Sequence, residues 1–285
     1  MPCPSAVPSS PPFETSFATK AVHGGNGVDA QTGAIRRPIV MANSYALPDD
    51  PSSINWSSTD TLLYTRNSGA NQLYLQEKLA ALEGGEQAVV LVSGVAALHA
   101  VFFTFLRTGA HIVCSDVTYI AVYRLLNQYL PEKFGVEVSL VDTSDLEAVR
   151  AAVRPNTALV HIETPANPTL RVTDVKAVAA IAHDVGAILS VDATFASPVH
   201  LRPLELGADL VVYSLTKYIK RARRCDGWHR YRRRRAHRTH QDRGNGQRRR
   251  CDQPLQRLAY PAWFGHPASA HASALGVGAR HRGMA

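Results

Sequence analysis

The stretch TALVHIETPANPTLRVTDVKAVAAIAHDVGAILSVDATFASPVHLRPLELGADLVVYSLTKY, residues 157–218, decides the fold. It contains three apolar runs of strand length: TALVHIE (157–163), AILSVD (187–192) and ADLVVYS (208–214). Each is rich in β-branched residues and lacks clean polar alternation, which suits strands buried on both faces. Between the first two, Thr173-Asp174 offers a cap for a helix reaching about Val185. Further out, HIVCS (111–115), VEVSLV (136–141) and QAVVLV (87–92) repeat the strand pattern. Gln72–Glu83 and Val95–Arg107 read as helices, and Thr143-Ser144-Asp145 caps another running through Val153. Strand and helix in repeated alternation predict an α/β fold, a mostly parallel central sheet flanked by helices. In such sheets ligands bind beyond the carboxyl ends of the strands, so polar residues there carry the information.

The 285 residues are 45% apolar and 19% charged, which excludes a fibre or a wholly disordered chain. No run of about 18 apolar residues exists, so no membrane span is expected. Four cysteines (Cys3, Cys114, Cys225, Cys251) lack metal-ligand spacing and are too few for a disulfide scaffold. Residues 1–16 have neither a basic flank nor an apolar run. They read as a flexible leader rather than a secretory signal, and a cytoplasmic setting is expected. Charge is uneven. Residues 221–285 hold 16 Arg and 3 acids, while residues 1–220 hold 15 basic and 20 acidic residues. An acidic domain thus precedes a strongly cationic tail.

Four strand ends carry candidate chemistry. Ser93-Gly94 follows QAVVLV and opens a helix, whose N–H groups attract an anion. Asn167 sits between two prolines in ETPANPT, where its amide can donate to a ligand oxygen. Asp192 closes AILSVD, where a carboxylate needs a partner such as a cationic ligand nitrogen. Lys217 follows ADLVVYS, flanked by the hydroxyls of Ser214 and Thr216. A lysine withdrawn from water can form an imine. Taken singly, each is an ordinary turn, cap or surface charge. In this order they supply an anion site, a partner for a pyridine nitrogen and an amine, the set a pyridoxal 5'-phosphate (PLP) enzyme requires. Neither a G-x-G-x-x-G nor a Walker loop is present, so nucleotide binding is disfavoured.

The stretches TGAIRRPI, LLYTRNSGANQLYLQEKLAALEGGEQAVVLVSG, ETPANPT, SVDATFASP and GADLVVYSLTKY carry a resemblance. The chain resembles the Cys/Met-metabolism PLP enzymes, a family of cystathionine synthases and lyases, methionine γ-lyases and O-acylhomoserine sulfhydrylases. The resemblance implies the fold type I, aminotransferase-like architecture and a homo-oligomer built as a dimer of dimers. It implies a small-molecule amino-acid substrate, a sulfur amino acid or O-acylhomoserine, undergoing β/γ-elimination or γ-replacement. By the same resemblance the catalytic residues are Lys217, which carries PLP as an imine, Asp192, which pairs with its ring nitrogen, and Tyr119, which stacks on the ring and assists acid/base steps. Ser93, Gly94, Val95, Thr194, Ser214 and Thr216 lie in the cofactor cradle, with the phosphate held by Gly94, Val95, Ser214 and Thr216. Tyr64 and Arg66 reach a neighbouring subunit's phosphate, and Asn167 approaches the ring hydroxyl or the substrate. Val95, Ile120-Ala121 and Gly69-Ala70-Asn71 depart from the family's usual residues. A related aminotransferase or cysteine desulfurase fits less well, because Ser-x-Thr-Lys accompanies Tyr-x-Arg.

The resemblance stops after Ile219. Residues Lys220–Trp228 can be coded so that removing one base yields SGHGDAMGG, a family-like continuation. The tail from Asp252 can likewise be coded to yield ISPFNAWLIPRG. The expected organisation is therefore a flexible leader (1–16), an N-terminal arm (17–60), an incomplete PLP-binding large domain (61–219) and an Arg-rich, out-of-frame tail (220–285), unpatterned and expected to be disordered. The family's C-terminal domain is then missing and activity is impaired. The alternative is a nucleic-acid-binding protein using the Arg-rich tail. No interleaved aromatics or recognition helix support specific nucleic-acid binding.

Overall fold

A computed structural model describes residues 16–54, 62–66, 69–219 and 277–279. The expected leader, except Ser16, and nearly all of the tail, with its histidines and Cys225 and Cys251, lie outside the described residues.

The strands are β1 (His111–Ser115), β2 (Glu137–Val141), β3 (Thr157–Glu163), β4 (Ile188–Asp192), β5 (Leu210–Val212) and β6 (Val277–Ala279). They form one sheet in the order β2-β1-β3-β4-β5-β6. The first five are parallel, as expected, and β6 runs antiparallel to β5. Five longer helices complete the α/β layers: α1 (Phe17–His23), α2 (Ala70–Glu83), α3 (Gly94–Phe105), α6 (Leu146–Ala152) and α7 (Val175–Asp184). Two short helices, α4 (Ile120–Arg124) and α5 (Leu130–Phe134), flank one π-helical turn at Leu125–Tyr129, and α8 is a single turn at Ser197–His200.

Strand pleating sends alternate residues to opposite faces, and both faces are covered. On one, Val113, Val160, Ile162, Leu189 and Val191 pack with Val178 and Ile181 of α7 and Leu79 of α2. On the other, Ile112, Cys114 and Leu159 pack with Leu98, Val101 and Phe102 of α3 and with Leu126 and Leu130. This is why the strands read as apolar runs. The caps read from sequence hold. Asp145 Oδ1 accepts the N–H groups of Glu147 (3.0 Å) and Ala148 (3.3 Å), and Asp174 Oδ1 accepts that of Ala177 (3.0 Å).

Two expectations are corrected. QAVVLV is not a regular strand: Gln87 makes an isolated bridge and residues 88–92 join no ladder. Nor is the run covered on both faces: Ala88 is buried while Val89 and Val92 are exposed, Val92 by 71%. Its apolar composition suits a strand, but a strand also needs a neighbour to pair with. The tail segment read as unpatterned contributes β6, with Leu210 opposite Ala279 and Val212 opposite Val277. The outer edge of β5 offers unpaired N–H and C=O groups, which an extended segment satisfies whatever its side chains.

Below the rim of the sheet, α2 is bound to the end of β5 through polar atoms. The Tyr213 hydroxyl donates to Glu83 Oε1 at 2.5 Å and approaches the Leu201 carbonyl at 3.3 Å. Glu83 is 3% exposed, and among the described residues its Oε2 has no partner. Burial pushes its carboxyl from an ordinary 4.5 up to about 7, against the pull of the Tyr213 hydroxyl and Arg202. The folded state therefore holds a proton that the unfolded state releases between about 4.5 and 7, so stability falls as pH rises through that window. Glu83→Gln should remove this group's share of the slope. Urea unfolding at several pH values checks it, and identical slopes for variant and parent would contradict the assignment.

Candidate active site

Asp192 and Glu163 are the last residues of β4 and β3, and they face each other in register. Two carboxylates at adjacent strand ends is the central feature of this rim. Asp192 is 7% exposed. Its Oδ1 accepts the N–H of Thr194 at 2.9 Å. Burial raises its pKa, and the hydrogen bonds from Thr194 oppose that rise. Thr194 Oγ1 in turn accepts the N–H of Ser214 at 2.8 Å, joining the loops that follow β4 and β5.

Ser214 begins the turn that carries the lysine. Its hydroxyl lies 3.4 Å from that of Thr216, and its carbonyl accepts the N–H of Lys217 at 3.1 Å. The Tyr218 ring packs at 5.4 Å on Phe195, which follows Thr194. The backbone around Lys217 is thus anchored to both loops. Its side chain, expected to be withdrawn from water, is exposed instead. The turn stands on the open rim beyond the sheet, where apolar packing ends.

The start of α3 meets the same turn. Ser93 Oγ accepts the N–H of Ala96 at 3.0 Å and so caps the helix. The N–H groups of Gly94 and Val95, in the first turn, have no acceptor within the helix. A methyl group at Gly94 would lie 3.1 Å from Ser214 Cβ and 3.2 Å from its Oγ, so glycine permits this approach. The Val95 carbonyl lies 2.7 Å from His99 Nδ1.

Tyr119 and Asn167 are fixed by their backbones. The Tyr119 N–H donates to Glu163 Oε2 at 2.8 Å, and the Asn167 N–H donates to Oε1 at 3.0 Å. The Tyr119 ring is 43% exposed, and Asn167 is exposed in a loop whose Thr164–Pro165 and Asn167–Pro168 bonds are cis. Arg171 ties that loop to Asp116 (3.1 Å) and Asp142 (2.9 Å). Sequence reasoning missed Glu163. The signal was present, because Glu163 ends a buried run just as Asp192 does. Burial, then the Asp192 charge, pushes its carboxyl up to about 7, while the N–H groups of Asn167 and Tyr119 pull it down.

Tyr64 and Arg66 belong to a different part of the fold. Tyr64 bridges Ser44 of the arm, and the Arg66 guanidinium lies 5.0 Å from the Tyr64 ring centre. Asn71 of α2 holds the same arm, accepting the Val40 N–H (3.1 Å) and donating to its carbonyl (2.8 Å). This gives Asn71, a departure from the family pattern, a structural role. Among the described residues no group of His, Cys, Asp or Glu is placed to hold a metal, and no helix is long and apolar enough to cross a membrane.

The model of the Cys/Met metabolism PLP-dependent enzymes matches residues 18–224. The chain belongs to this family. It is 61% identical over 204 residues to a canavanine γ-lyase of Rhizobium leguminosarum bv. trifolii, covering 72% of this chain and 51% of that protein. It is 41% identical over 210 residues to an L-methionine γ-lyase of Porphyromonas gingivalis, covering 73% and 52%. Among solved structures it is similar to a cystathionine γ-lyase from Lactobacillus plantarum complexed with L-serine, with 34% identity and a TM-score of 0.64, covering 72% and 51%. The chain therefore spans about half the length of the relatives it matches. These likenesses bear out the fold class and the PLP-dependent family, and they lend the nucleic-acid alternative no support.

The residues present fit the family's cofactor. A glycine at a helix start lies against a serine hydroxyl where a phosphate needs room, and a buried carboxylate waits at the next strand end. Gly94→Ala should raise the PLP dissociation constant about tenfold or more, because its methyl group would press on Ser214 where the phosphate needs room. Fluorescence titration checks it, and unchanged affinity would remove Gly94 from the cradle.

Proposed function

We propose that this chain carries the cofactor-binding half of a PLP-dependent γ-lyase that eliminates a heteroatom substituent from Cγ of an amino acid. Canavanine is the first substrate to test. The identity of 61% to a canavanine γ-lyase, against 41% to a methionine γ-lyase, carries this choice. A sulfur amino acid or O-acylhomoserine is the second reading, supported by the cystathionine and methionine lyases among the relatives.

PLP, when bound, withdraws electrons from the substrate Cα. Asp192, buried beside Thr194, would hold the protonated ring nitrogen, a charge its position favours over a neutral ring. The Gly94 and Val95 N–H groups and the Ser214 and Thr216 hydroxyls would hold the phosphate. Lys217 Nζ would hold the cofactor covalently and, once released, move the proton at Cα. Tyr119 would cover the ring, and Asn167 would hold the ring oxygen or substrate. Tyr64, bridged to the arm at Ser44, and Arg66 would serve the phosphate of a second subunit in a homo-oligomer.

Residues 220–285 would be the product of a shifted reading frame, with β6 joining the sheet through its backbone alone. The family match ends at residue 224, and the 16 arginines of residues 221–285 support the same reading. Resequencing around the Ile219 codon tests it. Confirmation of the frame by an independent read, with no restored activity from the one-base-deleted gene, would reject it.

Incubation with PLP should give a visible absorption band, and borohydride should fix the coenzyme's mass on the peptide containing Lys217. Lys217→Ala should abolish the fixed mass, and Asp192→Asn should weaken binding about tenfold. A colourless parent, with no mass on that peptide, would overturn the cofactor assignment. Product analysis with canavanine and methionine, on the one-base-deleted gene product, separates the two substrate readings.

A further inference from the structure

Glu163 neither touches the cofactor cradle at Gly94 and Ser214 nor faces Lys217 in any hydrogen bond described above, yet both its oxygens are engaged. Oε2 accepts the Tyr119 N–H at 2.8 Å and the Thr118 hydroxyl at 3.4 Å, and Oε1 accepts the Asn167 N–H at 3.0 Å. One bond reaches 44 residues along the chain and the other 4. Tyr119 is the N-cap of α4, so its N–H has no acceptor within the helix. Glu163 is 7% exposed and sits beside a second carboxylate, which makes an ionisable group costly here. An apolar or amide side chain would avoid that cost. Neither could accept one N–H group on each of two oxygens, because an amide has one acceptor oxygen.

We propose that Glu163 is a positioning residue: its two carboxylate oxygens clamp the backbones of Tyr119 and Asn167, aiming both side chains at the cofactor while leaving them free to meet it. The clamp makes the loop after β1 and the loop after β3 one rigid unit. Both side chains stay exposed, available to a ligand, because the anchoring is made through the backbone. Arg171 joins the same loops from outside, through exposed pairs to Asp116 and Asp142 that contribute little. The aim of the clamp rests on the PLP reading above, whereas the clamp itself does not.

The test uses the full chain, with and without PLP. In the cofactor-free chain, amide hydrogen exchange at Tyr119 and Asn167 is followed by NMR in the parent, Glu163→Gln, Glu163→Asp and Arg171→Ala. Glu163→Gln should speed exchange about tenfold or more at one of the two amides, with little change at the core strands. Glu163→Asp, charged but one methylene shorter, should recover part of the protection. Arg171→Ala should leave both amides within about twofold of the parent. With PLP, the visible circular dichroism of the bound coenzyme should fall or change sign in Glu163→Gln and return in part in Glu163→Asp. Unchanged exchange at both amides in folded Glu163→Gln would overturn the clamp. So would acceleration spread evenly over the sheet, which marks a merely structural residue. Should Glu163→Gln not fold, Glu163→Asp decides by the same readouts, since a clamp predicts intermediate exchange confined to these two amides. A parent that binds no PLP overturns the PLP reading, and with it the aim of the clamp, while the exchange result still decides the clamp.

Discussion

Glu163 and Asp192 lie side by side where β3 and β4 leave the core, and the rim of the sheet is organised around them. The sheet beneath is covered by helices on both faces, so its strands tolerate few polar groups along their length. Chemistry is pushed to the carboxyl ends. Two acids placed there together raise each other's cost of ionisation, and each survives by accepting backbone N–H groups. The loops that donate those groups are held in place by the same bonds. Loop position and acid ionisation are therefore one problem with one solution.

The loops after β4 and β5 are joined by similar means. Thr194 accepts from Ser214 and so sets the height of the turn that carries Lys217. Ser214 then lies against Gly94, the first residue of α3. Asp192, Thr194, Ser214 and Gly94 form a continuous chain of neighbours across three loops. The family is PLP-dependent, and these neighbours are where the residues present fit that cofactor.

The arm is attached by different means. Asn71 grips Val40 through both of its polar atoms, Tyr45 accepts the N–H of Ala70, and Arg37 pairs with Glu77 of α2. Tyr64 bridges Ser44 of the same arm, and the Arg66 guanidinium lies 5.0 Å from the Tyr64 ring centre.

The sequence by itself determined the five parallel strands, the capped helices between them, and the ordered polar residues at the strand ends. Those features are local: an apolar run of strand length, a cap three residues ahead of a backbone donor, a lysine after a strand. It also determined the family, because the spacing of five motifs is written in one line of residues. Tertiary structure alone decided the rest. QAVVLV has the pattern of a strand but no ladder, because pairing depends on a neighbour distant in the chain. Val277–Ala279 has little pattern but pairs, because the edge of β5 accepts any extended backbone. Lys217 is exposed, and its neighbours in sequence do not reveal that, because exposure depends on what packs over the rim. Glu163 looks like an ordinary strand-ending acid until the fold brings Tyr119, 44 residues away, within 2.8 Å of its oxygen. Hydrogen bonds and burial are relations between residues, and only folding sets the distances on which they depend.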